Sequence, residues 1–184
     1  MRDTEYKIDE SKFFLEKLKE SKDIQPQFNY YLNAFISSAR SVLWIMNKEY
    51  NKVEGWRSWY DKKAVKKDDA IILKGITDMR NRSLKSTPPR IRKTFYVGNE
   101  KENINLNDVL ERFAGKKISL SIGEPDKEKG TFNYAETDNS FEVQGKLSSK
   151  HTVEEFKDRD ILEVCDAYMA WLEEVTSECF ELFG

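Results

Sequence analysis

A stretch of positive charge between Met79 and Lys93 is the part of this chain most suited to chemistry. The stretch, MRNRSLKSTPPRIRK, contains six basic residues and no acidic one. Guanidinium and ammonium groups bind phosphate, arginine through its planar fork and lysine as a point charge. The whole chain carries a formal net charge of −2, so we expect a local polyanion site and no generally basic surface. The basic residues are Arg80, Arg82, Lys85, Arg90, Arg92 and Lys93.

Helices must position most of this stretch. Apolar spacing predicts a helix over residues 9–22, a long buried helix after Pro26, a helix that opens at Asp68 and stops near Pro88, and a final helix from Thr152 almost to the terminus. Thr152 and Glu155 have the spacing of a capping box. An aromatic segment, Trp56, Trp59 and Tyr60, follows the long helix, and either packs on the core or stacks on nucleic-acid bases.

The chain changes character between Thr94 and Gly145. Four short runs (TFYV, KISLSI, TFNYA and SFEVQ) are rich in aromatic and β-branched residues and are separated by glycines. Between the first two runs, NLNDVLERFAGK predicts a short helix with Asn107 as its cap and Gly115 as its end. We expect a single domain of 184 residues and a mainly α fold. A helical bundle at 9–90 and 152–183 would carry a small antiparallel β-rich insert at about 94–145.

The helical order resembles the HEPN superfamily of α-helical bundles. The resemblance rests on the long helix with NAFISSARSVLW, the aromatic segment, the helix that ends in Arg80-Asn81 before a basic loop, and the final long helix. It covers residues 9–90 and 152–183 and leaves out the insert. Many HEPN proteins are metal-independent RNases or toxins, and many dimerise so that two copies of the motif face each other. The family motif is arginine, a polar residue, a few further positions and then histidine.

Arg80 and Asn81 match the first two motif positions, and Lys85 stands where the histidine is expected. The resemblance implies that Arg80 holds a phosphate, Asn81 orients it, and Lys85 adds charge or acts as a weak acid. The remaining basic residues would be supporting cations. The family's histidine handles the proton of a ribose 2′-hydroxyl. A lysine, whose ordinary pKa is about 10.4, could do so only if that pKa were strongly lowered.

The resemblance therefore implies a protein that binds RNA or another phosphate-bearing ligand. We expect its RNase activity to be lost or weakened. The alternative that the protein is a metal-independent endoribonuclease with a degenerate motif stays open. An alternative function is a non-enzymatic protein-interaction module, for example a subunit of a defence or toxin–antitoxin system. The structural interpretation of the motif also stays open, because an arginine near a helix C-terminus interacts favourably with the helix dipole in any protein.

Two further residues invite a functional interpretation. Arg40 lies among apolar neighbours and needs a partner once buried. Asp78 or Asp166 would be a structural partner, whereas a functional role would extend the Arg80 site. His151, the only histidine, lies in a polar stretch and is expected to be exposed in a loop.

Composition excludes several other classes of protein. No run of 18 apolar residues predicts a membrane span, and the polar N-terminus has no apolar signal core. Cys165 and Cys179 lie fourteen residues apart in a helical pattern, roughly 21 Å, so they cannot form a disulfide. One histidine and no Cys-x-x-Cys pair predict no metal and no cofactor. We expect a cytoplasmic protein, a homodimer, with RNA or a protein as its partner.

Overall fold

The computed structural model describes residues 2–63, 67–85, 87–98, 103–112, 117–122, 134–137, 140–157 and 159–184. The chain forms two compact units. The first combines Met1–Ile91 with Val153–Gly184, and the second is Arg92–Thr152. The predicted insert, at about 94–145, falls inside the second unit, which is longer than the prediction at both ends.

The first unit is helical. The α-helices of both units are numbered in chain order: α1 (Asp3–Glu20), α2 (Gln27–Tyr50), α3 (Trp56–Lys62), α4 (Lys67–Lys85), α5 (Leu106–Arg112) and α6 (Ile161–Phe183). Only α5 belongs to the second unit. A short 3₁₀ turn, Glu154–Phe156, precedes α6. The mainly helical fold class is confirmed.

The core of the first unit is built from apolar stripes on these helices. The α2 stripe predicted from spacings of three and four is confirmed, because Phe28, Phe35, Val42 and Met46 are fully buried. Polar contacts then fix how the helices align. The Ser11 and Ser38 hydroxyls lie 2.9 Å apart in the buried contact between α1 and α2. The carboxylate of Glu49, on α2, accepts hydrogen bonds from the start of α1.

The ends of two helices differ from the prediction. The first helix begins at Asp3 and not at residue 9, since acidic residues in its first turn suit the positive end of the helix dipole. The last helix begins at Ile161 and not near Thr152, because the Asp160 side chain caps it by accepting from the Leu162 backbone N–H over 2.8 Å. Thr152 ends a strand instead.

The second unit contains five strands among its described residues: β1 (Arg92–Gly98), β2 (Asn103–Asn105), β3 (Lys117–Ile122), β4 (Tyr134–Thr137) and β5 (Ser140–Thr152). Residues 140–145 of β5 pair with β3, residues 140–143 pair with β4 on the other edge, and residues 146–152 pair with β1. The other edge of β1 pairs with β2. The predicted antiparallel arrangement holds at three pairings and fails at one, since β3 and β5 run parallel.

The short helix in the second unit was also predicted, with the wrong cap. The Asn105 side chain accepts from the Asn107 backbone N–H over 2.9 Å. Asn105 is therefore the capping residue, and Asn107 lies inside the helix. The predicted stop at Gly115 lies outside the described residues.

Neither cysteine forms a disulfide. Cys165 and Cys179, both on α6, are buried free thiols, and burial raises the pKa of Cys179 to about 12. Both thiols are thus held in their neutral form. Within the described part of the chain, no helix has the length and apolar character needed to cross a membrane.

Candidate phosphate-binding site

The structure brings Arg80 and Asn81 together in the last turns of α4. The Arg80 Nη1 donates to Asn81 Oδ1 over 3.4 Å, and both side chains are partly buried. This bond leaves the other guanidinium N–H groups and the Asn81 amide nitrogen as donors. Among the described residues, no carboxylate pairs with Arg80.

The end of α4 that carries these side chains is fixed from two directions. Met79 is fully buried in the core. The Ser83 hydroxyl donates to Asn33 Oδ1 of α2 over 3.0 Å. Lys85, the last residue of α4, is exposed. It lies four residues after Asn81, and therefore on the same face of the helix.

An anion at this place must be held by side chains. The C-terminal end of a helix carries partial negative charge from its unpaired carbonyl groups, so the helix dipole itself disfavours an anion there. Arg80 and Lys85 supply the opposing positive charge, and Asn81 supplies a neutral donor. The arrangement can bind and orient a phosphate group.

Arg82, a predicted supporting cation, is already occupied. Its Nη1 lies 2.9 Å from Glu154 Oε2, and its Nη2 lies 2.5 Å from Glu155 Oε1. Both glutamates belong to the 3₁₀ turn before α6. We call Arg82, Glu154 and Glu155 the Arg82 clamp. A ligand phosphate would have to displace these carboxylates to use Arg82.

The other predicted cations lie beyond α4. Arg90 is exposed in the segment that follows the helix. Arg92 and Lys93 are the first residues of β1 and belong to the second unit. The Lys93 ammonium lies 5.0 Å from the centre of the Phe95 ring, which is a cation–π contact.

The prediction that His151 lies in an exposed loop is wrong. His151 is on β5, pairs in register with Lys93 of β1, and is 1% exposed. The prediction failed because this polar stretch lies in a strand, where successive side chains point to opposite faces of the sheet.

The predicted partners of Arg40 are also wrong. Arg40 Nε donates to Thr77 Oγ1 of α4 over 3.1 Å. Asp166 instead pairs with Lys19, whose ammonium nitrogen lies 2.5 Å from Asp166 Oδ1. Asp78 is exposed on α4 and does not pair with Arg40. Arg40 is therefore a partly buried cation without a carboxylate partner among the described residues.

Sequence reasoning did not anticipate that burial would perturb two tyrosines, Tyr60 and Tyr168. Burial raises the pKa of Tyr168 well above its ordinary value, and the positive charge of Arg40 opposes the shift. Burial raises the pKa of Tyr60 as well, again against the Arg40 charge. The sequence held one signal for Tyr168, namely a polar tip in the apolar stripe of α6.

The aromatic segment belongs to the core, as one of its two interpretations had it. Trp56 is fully buried and stacks on Tyr50 and Tyr60, with ring centres 5.5 and 5.2 Å away. Trp59 packs on Trp56 and donates from Nε1 to Glu178 over 2.7 Å. These rings fix α3 against α2 and α6 and are not arranged to stack on bases.

Within the described residues, no cluster of three or more metal-ligating side chains occurs. Comparison of the chain with models of known protein families, with curated proteins and with solved structures finds no match.

Proposed function

We propose that the protein binds RNA or another phosphate-bearing ligand at the end of α4, through Arg80, Asn81 and Lys85. The observation that carries the proposal is the contrast between two neighbouring arginines. Arg82 is neutralised by two carboxylates, whereas Arg80 shares only an amide oxygen. A partly buried guanidinium with free donors is suited to a charged phosphate acceptor.

We further propose that this site does not cleave RNA. Lys85 occupies the position that the HEPN motif gives to histidine, and it is exposed. Arg82, two residues after Arg80, has its charge compensated by Glu154 and Glu155. The site therefore retains phosphate binding and lacks a group suited to take the 2′-hydroxyl proton at neutral pH.

The experiment is RNA binding by fluorescence anisotropy with a labelled single-stranded oligonucleotide at several salt concentrations. Arg80→Ala is expected to weaken binding about tenfold or more, since it removes charge-assisted hydrogen bonds. Lys85→Ala should weaken it less and reduce the slope of log K against log salt by about 0.7, the value for one phosphate contact. Lys52→Ala, a change of equal charge at an exposed turn, should leave binding unchanged.

Cleavage is measured in parallel, in EDTA. Binding that is unaltered by Arg80→Ala, or lost equally in Lys52→Ala, would contradict the proposed site. Cleavage that disappears in both Arg80→Ala and Lys85→Ala would show instead that the lysine replaces the histidine and that the protein is a working nuclease.

A second candidate function is protein interaction, with a second copy of this chain as partner. Trp44 and Tyr30 are each 65% exposed on α2, which is unusual for large aromatic side chains. A groove of about 350 Å³ between α1 and α2 is lined in part by Trp44, Tyr6 and Ile45. Sedimentation at rising salt separates the two functions, because an apolar interface tolerates salt and phosphate binding does not.

A further inference from the structure

Two paired strand segments of the second unit carry positive charge and no negative charge. Arg92–Phe95 of β1 pair antiparallel with Ser149–Thr152 of β5. We call these eight residues the basic ribbon. In a chain whose formal net charge is −2, the ribbon is a local surface suited to a polyanion. None of its residues is acidic, and three are cations: Arg92, Lys93 and Lys150.

The cations lie on both faces of the ribbon. Successive side chains of a strand point to opposite faces, so Lys93 lies on one face and Arg92 and Lys150 lie on the other. Arg92 is exposed, and the two lysines are partly exposed. Neighbouring strands are only about 4.8 Å apart, so the cations of both faces act on the same bound chain.

The first acids that follow the ribbon in the chain do not compensate its charge. Glu154 and Glu155 pair with Arg82 of α4. The positive charge of the ribbon is therefore not spent on these two carboxylates.

An aromatic ring lies on the Lys93 face of the ribbon. Phe95, two residues after Lys93 and on the same face, is 40% exposed. The Lys93 ammonium lies 5.0 Å from the ring centre, and this cation–π contact holds the charge beside the ring. Ser149 is directly opposite Phe95 and is partly exposed, so it adds a hydroxyl to the same face. A ring, a cation and a hydroxyl thus lie side by side.

The same pair of groups on α1 shows what is particular to the ribbon. Phe13 is 49% exposed, and the Lys17 ammonium lies 5.9 Å from its ring centre. There the ammonium also pairs with Glu20, 2.7 Å away, so its charge is balanced locally. Phe13 therefore provides a matched control for Phe95.

We infer that the basic ribbon binds single-stranded RNA, with a base stacked on Phe95 and the neighbouring phosphates held by Lys93, Arg92 and Lys150. Unpaired bases stack on exposed aromatic rings, and cations beside the ring neutralise the backbone. A protein partner fits less well, because charged residues are depleted from the centres of protein interfaces. The inference rests on the proposed function for its class of ligand, RNA, and adds a contact with bases from other residues.

The test measures fluorescence anisotropy with two labelled RNA strands of equal length, an oligoadenylate and its abasic counterpart, which keeps the phosphates and lacks the bases. Phe95→Leu should weaken binding of the oligoadenylate about fivefold or more, the effect of losing one stacking ring. It should leave binding of the abasic strand unchanged. Phe95→Trp should bind the oligoadenylate at least as tightly as the wild type, because it keeps a ring for stacking.

The control variants separate stacking from charge. Phe13→Leu should bind both strands as the wild type does. Lys150→Gln should weaken binding of both strands and reduce the slope of log K against log salt by about 0.7. Circular dichroism and the melting temperature show whether each variant is folded. Phe95→Thr, which keeps a high strand propensity, replaces Phe95→Leu if the latter does not fold.

Four outcomes would overturn the inference. They are unchanged binding of the oligoadenylate by Phe95→Leu, an equal loss for both strands in that variant, a similar loss in Phe13→Leu, and no binding of either strand by the wild type. Arg80→Ala tests the proposed function separately, since losing a phosphate contact should weaken both strands alike. If Arg80→Ala binds both as the wild type does while Phe95→Leu loses only the oligoadenylate, the α4 site fails and the ribbon is supported.

Discussion

Two arginines, one on α4 and one bonded to it, differ in whether carboxylates of the described chain balance their charge. Arg82 lies on α4 and meets Glu154 and Glu155 of the 3₁₀ turn. Arg40 reaches α4 from α2 and, within the part of the chain that the structure describes, bonds the Thr77 hydroxyl and no carboxylate. Both side chains are partly buried. The chain therefore balances one guanidinium with its own acids and leaves the other to neutral donors and acceptors.

This difference separates a structural role from a binding role. The Arg82 clamp joins residues more than seventy positions apart and ties the start of the last helical segment to α4. The carboxylates that pair with Arg82 belong to the same chain, so the clamp contributes to the stability of the fold. Arg40 has a charge that no described carboxylate balances. Variants in each region should therefore change different measurements.

The largest stability effect is expected beside the Arg82 clamp, at Gly75. A Cβ on Gly75 would lie 2.3 Å from the end of the Phe156 ring, which is 5% exposed. Gly75→Ala should thus lower the free energy of unfolding by about 1–3 kcal/mol, although alanine favours an exposed helix. Urea denaturation measures the change.

The double variant Gly75→Ala with Phe156→Leu provides the control. The smaller side chain removes the ring atoms that the new methyl group meets, so the two losses should sum to more than the double variant loses. A stabilising Gly75→Ala would mean that the 3₁₀ turn does not pack on α4 as described, and the clamp would lose its structural role.

The next effect compares the two acids of the clamp with each other. The Glu155 side chain is 11% exposed and that of Glu154 is 82% exposed, although both bind the same guanidinium. Glu155→Gln should cost about 1–2 kcal/mol, since its ion pair with Arg82 is shielded from water. Glu154→Gln should cost under about 0.5 kcal/mol. Equal losses of unfolding free energy in the two variants, measured by urea denaturation, would mean that the exposure of the carboxylate does not set its contribution to stability.

The helices could be predicted because their signal is local. The α2 stripe repeats at helical spacing, and the apolar spacing that predicted α4 is that of Ile72, Ile76 and Met79, which are buried. Arg80 and Asn81 were predicted near the end of a helix, and they lie in the last turns of α4. Two of the predicted strand runs, TFYV and KISLSI, coincide with β1 and β3, whereas β2 was not predicted and β5 extends beyond SFEVQ to Thr152.

The errors arose where distant residues decide the outcome. Glu155 looked like half of a capping box, but its carboxylate binds Arg82 and Asp160 caps the helix. His151 looked exposed because its pairing with β1 depends on residues far along the chain. The sequence also did not show that the Tyr168 hydroxyl would be buried without a hydrogen-bond partner among the described residues. Such tertiary pairings leave no periodic signal in one sequence.

The smallest effect tests whether a more exposed acid behaves as a weak form of the clamp. Glu178 on α6 accepts from the Lys63 ammonium and from Trp59 Nε1, and these hydrogen bonds lower its pKa. The folded state thus favours the ionised form. Its stabilisation is present above the unfolded pKa of about 4.3 and is lost as the pH falls through the lower folded value. Glu178→Gln should therefore reduce the urea midpoint at pH 7, and the deficit should shrink towards pH 3. Glu174→Gln, an exposed neighbour, should show no such trend. A deficit that is the same at every pH would mean that the charge of Glu178 does not stabilise the protein. Pairing with a carboxylate would then not distinguish a cation that stabilises the fold from a cation that binds a ligand.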